Sequence, residues 1–174
     1  MNTPNKLTLL RTIMVPVFMI FVLYSQIPGG RYLGAIVFVL ASLTDWLDGY
    51  LARKNQQVTN FGKIMDPLAD KMLVTAALVC LSTEGIVSPW VTMIILAREF
   101  IVSGIRMAAA AEGNVIAASW WGKAKTVWQF IALTVALVFG QNILIDVCIW
   151  LAAVLTIVSG VDYVVKNARY LSMK

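Results

Sequence analysis

The stretch "DWLDGYLARKNQQVTNFGKIMDPLADK", residues 45–71, joins two long apolar segments of the chain. It holds four of the six aspartates: Asp45 and Asp48 end the first apolar segment, and Asp66 and Asp70 begin the next. Ionisable side chains at membrane depth are costly and usually serve a function. This stretch therefore decides both how the helices are arranged and which kind of site they carry.

The composition is that of a membrane protein. Of the 174 residues, 60% are hydrophobic and 13% are charged, whereas soluble domains carry about 25% charged residues. The mean hydropathy is +0.81. No Pro/Gly/Ser-rich linker divides the chain, so a single domain spanning residues 1–174 is expected. The sequence contains no histidine, which removes the commonest general base and transition-metal ligand.

The apolar segments predict six transmembrane helices. A span needs about 20 mostly apolar residues, and the third and fifth segments are shorter, so their helices are expected to extend through polar residues. Asp66 is expected to cap the third helix, with Pro67 at its first helical position. The six segments are Leu9–Ile27, Tyr32–Ala52, Pro67–Leu81, Pro89–Ala111, Thr126–Phe139 and Ile143–Val165.

The positive-inside rule orients these helices. With both termini in the cytoplasm, the outer loops receive only Arg31, and Arg98 falls within the fourth span. We therefore expect an all-α integral membrane protein with six transmembrane helices in one bundle, located in the cell membrane. The net charge of +5 then forms a basic inner face suited to lipid headgroups and phosphates, not to nucleic acid. The inner side receives Lys6, Arg11, Arg53, Lys54, Lys63, Lys71, Arg106, Lys123, Lys125, Lys166, Arg169 and Lys174.

The four aspartates form two pairs at the inner face. Asp45 and Asp48 are three residues apart, and such a spacing places both on one helix face. The same holds for Asp66 and Asp70, four residues apart. Two adjacent antiparallel helices would thus point four carboxylates into one cavity, where they repel strongly unless divalent cations bind or some carboxylates are protonated. All-oxygen ligands favour Mg²⁺ or Mn²⁺ over zinc.

Small and basic residues are interleaved with the aspartates. Gly49, Ala52 and Gly62 leave room for a ligand to approach the backbone, and Arg53 and Lys63 add positive charge beside the metals. The pattern is typical of a pyrophosphate held by two metal ions, in a site that faces the cytoplasm. The alternative is a set of helix-end carboxylates facing water, with Asp66 acting only as an N-cap.

The spacing of these residues resembles the signature of the CDP-alcohol phosphatidyltransferases. Members of that family transfer a phosphatidyl group from CDP-diacylglycerol to an alcohol and release CMP. Eight fixed positions with a fixed gap make chance agreement improbable, and the six-helix layout extends the resemblance along nearly the whole chain. The matching pattern is Asp45-x-x-Asp48-Gly49-x-x-Ala52-Arg53-x8-Gly62-x3-Asp66-x3-Asp70.

The resemblance implies a role for each of these positions. Asp45, Asp48 and Asp66 are implied to hold the metals. Asp70 is implied to complete the metal cluster and to act as general base on the acceptor hydroxyl. A homodimer is also expected from the resemblance. The cytidine diphosphate is implied to be surrounded by Gly49, Ala52, Arg53 and Gly62.

Three further segments resemble the branch of this family that uses sn-glycerol 3-phosphate as acceptor. They are "NTPNKLTLLR" at 2–11, "AREFIVSGIR" at 97–106 and "WWGKAKT" at 120–126. By this resemblance the first segment lines the nucleotide side; the alternative is ordinary interfacial capping and snorkelling. The candidate CDP-diacylglycerol contacts are then Asn5, Thr8, Arg11, Gly49, Ala52, Arg53, Gly62 and Lys63.

A phosphorylated acceptor needs two or three cations, and arginine can bind its phosphate through two parallel hydrogen bonds. Arg98 and Arg106 are eight residues apart, about two helical turns, on roughly one helix face. Lys123 and Lys125 are expected on the connection before the fifth helix. We rank Arg106 and Lys125 first. Alternatively, Arg98 pairs with a buried carboxylate such as Glu99 of a neighbouring chain, or only holds helices together, and Lys123 serves topology alone.

Two other functions remain open from the sequence. The acceptor could be another alcohol, such as inositol phosphate, or phosphatidylglycerol as in cardiolipin synthesis. A function of a different class is a divalent-cation transporter, because intramembrane carboxylates also line ion paths. The acids gather at one inner edge, however, while the outer halves of the helices are almost wholly apolar, which disfavours a path across the bilayer.

Overall fold

The structure is a computed structural model that describes the backbone of residues 3–24, 26–54, 60–114, 116–117 and 119–170. Within this range, the side chains of residues 3–8, 45–54, 60–67, 70 and 169 lie outside the description. The described backbone is all-helical, with no strand. Its elements are α1 Thr3–Leu23, α2 Gly30–Lys54, α3 Asn60–Thr83, α4 Pro89–Ala111, α5 Trp120–Phe139, α6 Ile143–Lys166 and a 3₁₀ helix Ala168–Tyr170.

Four helices begin earlier than the apolar segments indicate: α1 at Thr3, α2 at Gly30, α3 at Asn60 and α5 at Trp120. Helix α3 begins at Asn60, so Asp66 and Pro67 lie inside it, and the expected helix start at these residues was wrong. Helix α5 begins at Trp120, so Lys123 and Lys125 belong to its first turns. The expectation that they lie on the preceding connection was wrong. Helices α3 and α5 do extend through polar residues, as their short apolar segments required.

The last two helices are delimited by side-chain caps and a glycine. Ser119 caps α5 by accepting a hydrogen bond from the Gly122 amide at 3.1 Å. Gly140 ends α5 with a φ of 71°, a left-handed conformation that favours glycine. Asn142 then caps α6 by accepting from the Leu144 amide. The three-residue connection between them makes α5 and α6 antiparallel neighbours.

The helices pack around α3, which contacts α1, α2, α4 and α5, while α6 packs against α4 and α5. The buried core is apolar and includes Leu73 of α3 and Leu137 of α5. Phe38 lies at its centre, with its ring 5.9 Å from that of Phe18 and 5.5 Å from that of Phe130. These contacts, tilted in the first pair and stacked in the second, join α1, α2 and α5.

Short connections between packed helices give an up-and-down arrangement. The starts of α1, α3 and α5 therefore lie at the same end as the ends of α2, α4 and α6. We call this the aspartate end, because positions 45–48 of α2 and 66–70 of α3 lie toward it. At the opposite end, Arg31 of α2 pairs with Glu84, just after α3, at 3.7 Å.

The outer surface of the bundle is apolar. Helices α5 and α6 are long and apolar enough to cross a membrane, and shorter apolar stretches occur in α1, α2 and α3. Water-soluble proteins rarely expose apolar patches of this extent, so the surface suits a membrane protein whose sides contact lipid. On α6 alone the exposed large apolar side chains are Ile143, Leu144, Val147, Trp150, Leu151, Val154, Ile157, Val158, Val161 and Val165.

Candidate functional site

The backbone brings the two aspartate pairs onto neighbouring helices. Asp45 and Asp48 lie within α2, and Asp66 and Asp70 both lie within α3, about one helical turn apart. Helices α2 and α3 pack against each other. The four side chains are outside the described part of the chain, so the shared carboxylate cavity stays a prediction. The predicted nucleotide contacts also stay predictions, because they lie at residues whose side-chain environment is outside the description: Asn5, Thr8, Gly49, Ala52, Arg53, Gly62 and Lys63.

No alternative metal centre appears among the described side chains. There, no three or more His, Cys, Asp or Glu residues come close enough to hold a metal ion. Glu99, the acid most deeply placed among them, has cations as its partners. Within the described part of the chain, then, no group competes with the aspartate pairs as a metal site.

Arg11 is buried in the bundle. It lies on α1, which packs against both α2 and α3, and only 1% of the residue is exposed. A snorkelling arginine keeps its charged head in water, so that alternative does not describe Arg11. Arg11 thus lies on the helix that contacts both aspartate-bearing helices, and its place beside the nucleotide stays a prediction.

Three helices bring cations to Glu99. Lys125 of α5, which is 2% exposed, donates its ammonium to Glu99 Oε1. The same oxygen accepts from Arg98 Nη1 at 3.2 Å. Lys71 of α3 donates from Nζ to the backbone carbonyl of Glu99 at 3.4 Å. We call these four residues the Glu99 cluster. Arg98 thus pairs with Glu99 of its own chain.

The Glu99 cluster carries excess positive charge. Its three cations and one carboxylate sum to +2, and its members are buried or partly buried. Charges removed from water interact strongly and require compensation. A phosphate monoester carries about −1.5 to −2 at neutral pH, so the charge of the cluster suits a bound phosphate.

Arg98 is seated between two glycines from other helices. A Cβ at Gly160 of α6 would lie 3.0 Å from Arg98 Cγ, and a Cβ at Gly122 of α5 would lie 3.3 Å from Arg98 Nη2. These glycines therefore leave the space that the arginine occupies. The side chain, 11% exposed, also borders an apolar groove of about 400 Å³ between α4 and α6. The arginine thus lies between the Glu99 cluster and an apolar groove.

Arg106 lies outside the Glu99 cluster and has its own partner. Its Nε donates to the Tyr163 hydroxyl at 3.2 Å, and its guanidinium carbon is 5.6 Å from the centre of the tyrosine ring. Tyr163 is buried against Val102 and Ile105, so it is a fixed support for an otherwise exposed arginine. Lys123 is exposed in the first turn of α5. Of the four predicted acceptor cations, the described contacts bring together Arg98 and Lys125.

Two members of the cluster were not predicted as site residues. Lys71 was counted only among the inner cations, and Glu99 only as a partner from another chain. The sequence carried one usable signal: Glu99 is the only acid inside the fourth apolar segment, and an acid at membrane depth is rarely without function.

The fold and the site define an all-helical protein in which a buried cation cluster lies beside two aspartate-bearing helices. The sequence model of CDP-alcohol phosphatidyltransferases matches residues 1–158. A protein of Bacillus subtilis is 43% identical over 183 aligned positions, covering 95% of each chain. One of Rickettsia bellii is 41% identical, covering 97% of each chain. One of Escherichia coli is also 41% identical, covering 93% of this chain and 92% of its own. Each relative is named CDP-diacylglycerol–glycerol-3-phosphate 3-phosphatidyltransferase. The chain belongs to the CDP-alcohol phosphatidyltransferase family.

Proposed function

We propose that this chain transfers the phosphatidyl group of CDP-diacylglycerol to sn-glycerol 3-phosphate, giving phosphatidylglycerophosphate and CMP. The observation that carries the proposal is the identity of 41–43%, over more than nine-tenths of the chain, to relatives named for this reaction. The Glu99 cluster supports the same acceptor, because its charge of +2 suits a phosphate that a neutral alcohol would lack.

The donor is held at the aspartate end in this proposal. Asp45, Asp48, Asp66 and Asp70 supply oxygen ligands for two Mg²⁺ or Mn²⁺ ions, a donor set that hard divalent cations prefer. When bound, such ions neutralise the diphosphate and stabilise the departing CMP. Arg11 adds a buried positive charge on the adjoining helix. The remaining nucleotide contacts are assigned to Asn5, Thr8, Gly49, Ala52, Arg53, Gly62 and Lys63.

The chain's own residues then place and activate the acceptor. Arg98 and Lys125 bind the phosphate of glycerol 3-phosphate, with Arg106 and Lys123 nearer the aspartate end of α4 and α5. Asp70 accepts the proton of the acceptor hydroxyl. The hydroxyl oxygen forms a bond to the phosphorus next to diacylglycerol while the phosphorus–oxygen bond to CMP breaks in line. Lys71 directly follows Asp70 and contacts Glu99, which links the base to the acceptor site.

In this proposal, the site lies at the cytoplasmic face of the cell membrane. All six helices cross the bilayer in one domain of residues 1–174, both termini are cytoplasmic, and the protein works as a homodimer. Twelve of the fourteen cations then lie on the inner side, in agreement with the positive-inside rule. Exposed Trp90 and Trp120 lie at opposite ends of the bundle, as tryptophans at the two membrane interfaces do.

An acceptor panel tests this function. The purified protein in detergent or nanodiscs is given labelled CDP-diacylglycerol, Mg²⁺ and one acceptor: sn-glycerol 3-phosphate, inositol phosphate or phosphatidylglycerol. We expect CMP release and phosphatidylglycerophosphate with the first acceptor only, and loss of both after chelation by EDTA. Turnover with inositol phosphate but not with glycerol 3-phosphate would overturn the assigned acceptor. Full activity in EDTA would overturn the metal site.

A further inference from the structure

We propose that Glu99 is a positioning residue for the acceptor phosphate; this inference rests on the proposed function. Its carboxylate holds the Lys125 ammonium and the Arg98 guanidinium at the spacing that one phosphate group spans. Glu99 does not contact the reacting atoms in this role. It acts through the two cations and sets the affinity for a phosphorylated alcohol.

The geometry of the Glu99 cluster suits a bound phosphate. A single oxygen, Glu99 Oε1, accepts hydrogen bonds from both Lys125 Nζ and Arg98 Nη1. Two donors within hydrogen-bond distance of one atom lie at most about 6 Å from each other. Donors this close can both reach the oxygens of one phosphate. The carboxylate therefore brings side chains of α4 and α5 to a separation that phosphate binding requires.

Glu99 offsets part of the positive charge of the cluster. Lys125 is 2% exposed and the Arg98 side chain is 11% exposed, so water screens their mutual repulsion poorly. The carboxylate of Glu99 offsets that repulsion in the free protein. With Lys71 at its backbone carbonyl, the cluster keeps a charge of +2. This charge matches a phosphate monoester dianion, whereas an amide at position 99 would leave the buried cations to separate.

The packing around Arg98 restricts where its side chain can lie. Gly122 and Gly160 leave space for the arginine from α5 and α6, so its path is restricted on two sides. Glu99 fixes the end of the side chain, because Nη1 is its contact. The guanidinium is thus held by a carboxylate at one nitrogen, with other N–H groups left to donate to a ligand.

The competing explanation is that Glu99 only joins α4 to α5. The two roles differ in which kinetic constant changes. If Glu99 only joins the helices, its substitution lowers the amount or stability of active enzyme and leaves the Michaelis constants unchanged. If Glu99 positions the cations, its substitution raises the KM for glycerol 3-phosphate, because the phosphate contacts weaken in the ground state and the transition state alike.

The experiment measures CMP release by wild type, Glu99→Gln and Glu99→Asp, varying glycerol 3-phosphate and CDP-diacylglycerol separately. Glu112→Gln is the matched control, because this acid lies at the end of the same helix and is exposed. For Glu99→Gln we expect the KM for glycerol 3-phosphate to rise at least tenfold. The KM for CDP-diacylglycerol should stay within twofold. Glu99→Asp should fall between Glu99→Gln and wild type, and Glu112→Gln should match wild type.

A binding measurement covers the case in which Glu99→Gln folds poorly. Glycerol 3-phosphate should raise the melting temperature of the wild type and of Glu112→Gln. It should raise that of Glu99→Asp less, because the shorter side chain reaches fewer of its cations. An unchanged KM for glycerol 3-phosphate in folded Glu99→Asp or Glu99→Gln would overturn the role of Glu99 alone. A wild type that releases no CMP with this acceptor would overturn the proposed function as well.

Discussion

Replacing Gly160 by alanine should weaken acceptor binding without touching any charged residue. The new Cβ would lie 3.0 Å from Cγ of Arg98, so the arginine stem must move by a few tenths of an ångström. The contact from Arg98 Nη1 to Glu99 Oε1 is already 3.2 Å long. A further displacement of that size takes it beyond about 3.5 Å, where a hydrogen bond is no longer effective.

The expected magnitude follows from the hydrogen bond that is lost. A hydrogen bond to a charged group contributes about 1.5–3 kcal/mol. If the displaced guanidinium loses one such bond to the acceptor phosphate, the KM for glycerol 3-phosphate rises about ten- to a hundredfold, since about 1.4 kcal/mol is a factor of ten. Overpacking costs about 1–3 kcal/mol of stability, partly offset by the better helix propensity of alanine, about 1 kcal/mol.

CMP release at varied glycerol 3-phosphate measures this effect, and Gly104→Ala is the matched control. Gly104 lies in α4, the helix that carries Arg98 and Glu99, yet a Cβ there would meet no atom within 4 Å. Its variant should keep the wild-type KM. An unchanged KM in Gly160→Ala, or an equal increase in Gly104→Ala, would refute the view that the glycine in α6 places Arg98 for the acceptor.

Three further predictions test other parts of the molecule. Tyr163→Phe removes the hydroxyl that accepts a hydrogen bond from Arg106 Nε at 3.2 Å but keeps the ring. If Arg106 helps to bind the acceptor, the loss of about 1 kcal/mol should raise the KM for glycerol 3-phosphate about fivefold. The control Tyr32→Phe, at an exposed tyrosine, should leave this KM unchanged. Asp70→Asn should lower kcat by a factor of about 10²–10⁴, the usual contribution of a general base. The variant should retain much of the metal binding measured by calorimetry. A variant with the wild-type kcat would exclude Asp70 as the base. Arg31→Gln removes the partly exposed pair with Glu84 at 3.7 Å, worth about 0–1 kcal/mol, so thermal unfolding should shift by a few degrees at most and activity should stay at the wild-type level.

The existence of the helices could be predicted from the sequence because apolar length reports what a bilayer-spanning helix requires. The bounds of α4, Pro89–Ala111, could be predicted as well, but several other helix ends could not. Hydropathy does not distinguish a polar helical turn from a polar loop, so α3 and α5 begin well before their apolar segments. The proline at position 67 reinforced the error, since proline is common at a helix start but lies inside α3.

For the candidate site, too, the sequence predicted some features and not others. Spacing alone placed both aspartate pairs on helix faces, and family resemblance supplied their roles. The pairing of Lys125 with Glu99 depends on how α4 and α5 pack, which no local pattern records. Arg98 and Arg106 were grouped because they share a helix face, but eight residues correspond to a rise of about 12 Å. That distance exceeds the span of one phosphate, and in the structure Arg106 has Tyr163 as its partner.

The contact between Lys71 and the Glu99 carbonyl has a mechanical consequence. Asp70 and Lys71 are consecutive residues of one helix. The proposed base and this member of the Glu99 cluster therefore move as one rigid body. Tilting of α3 in a thinner or thicker bilayer would carry both along together. We therefore expect the distance between the two substrates to be insensitive to membrane thickness, even where the rate of lipid entry is not.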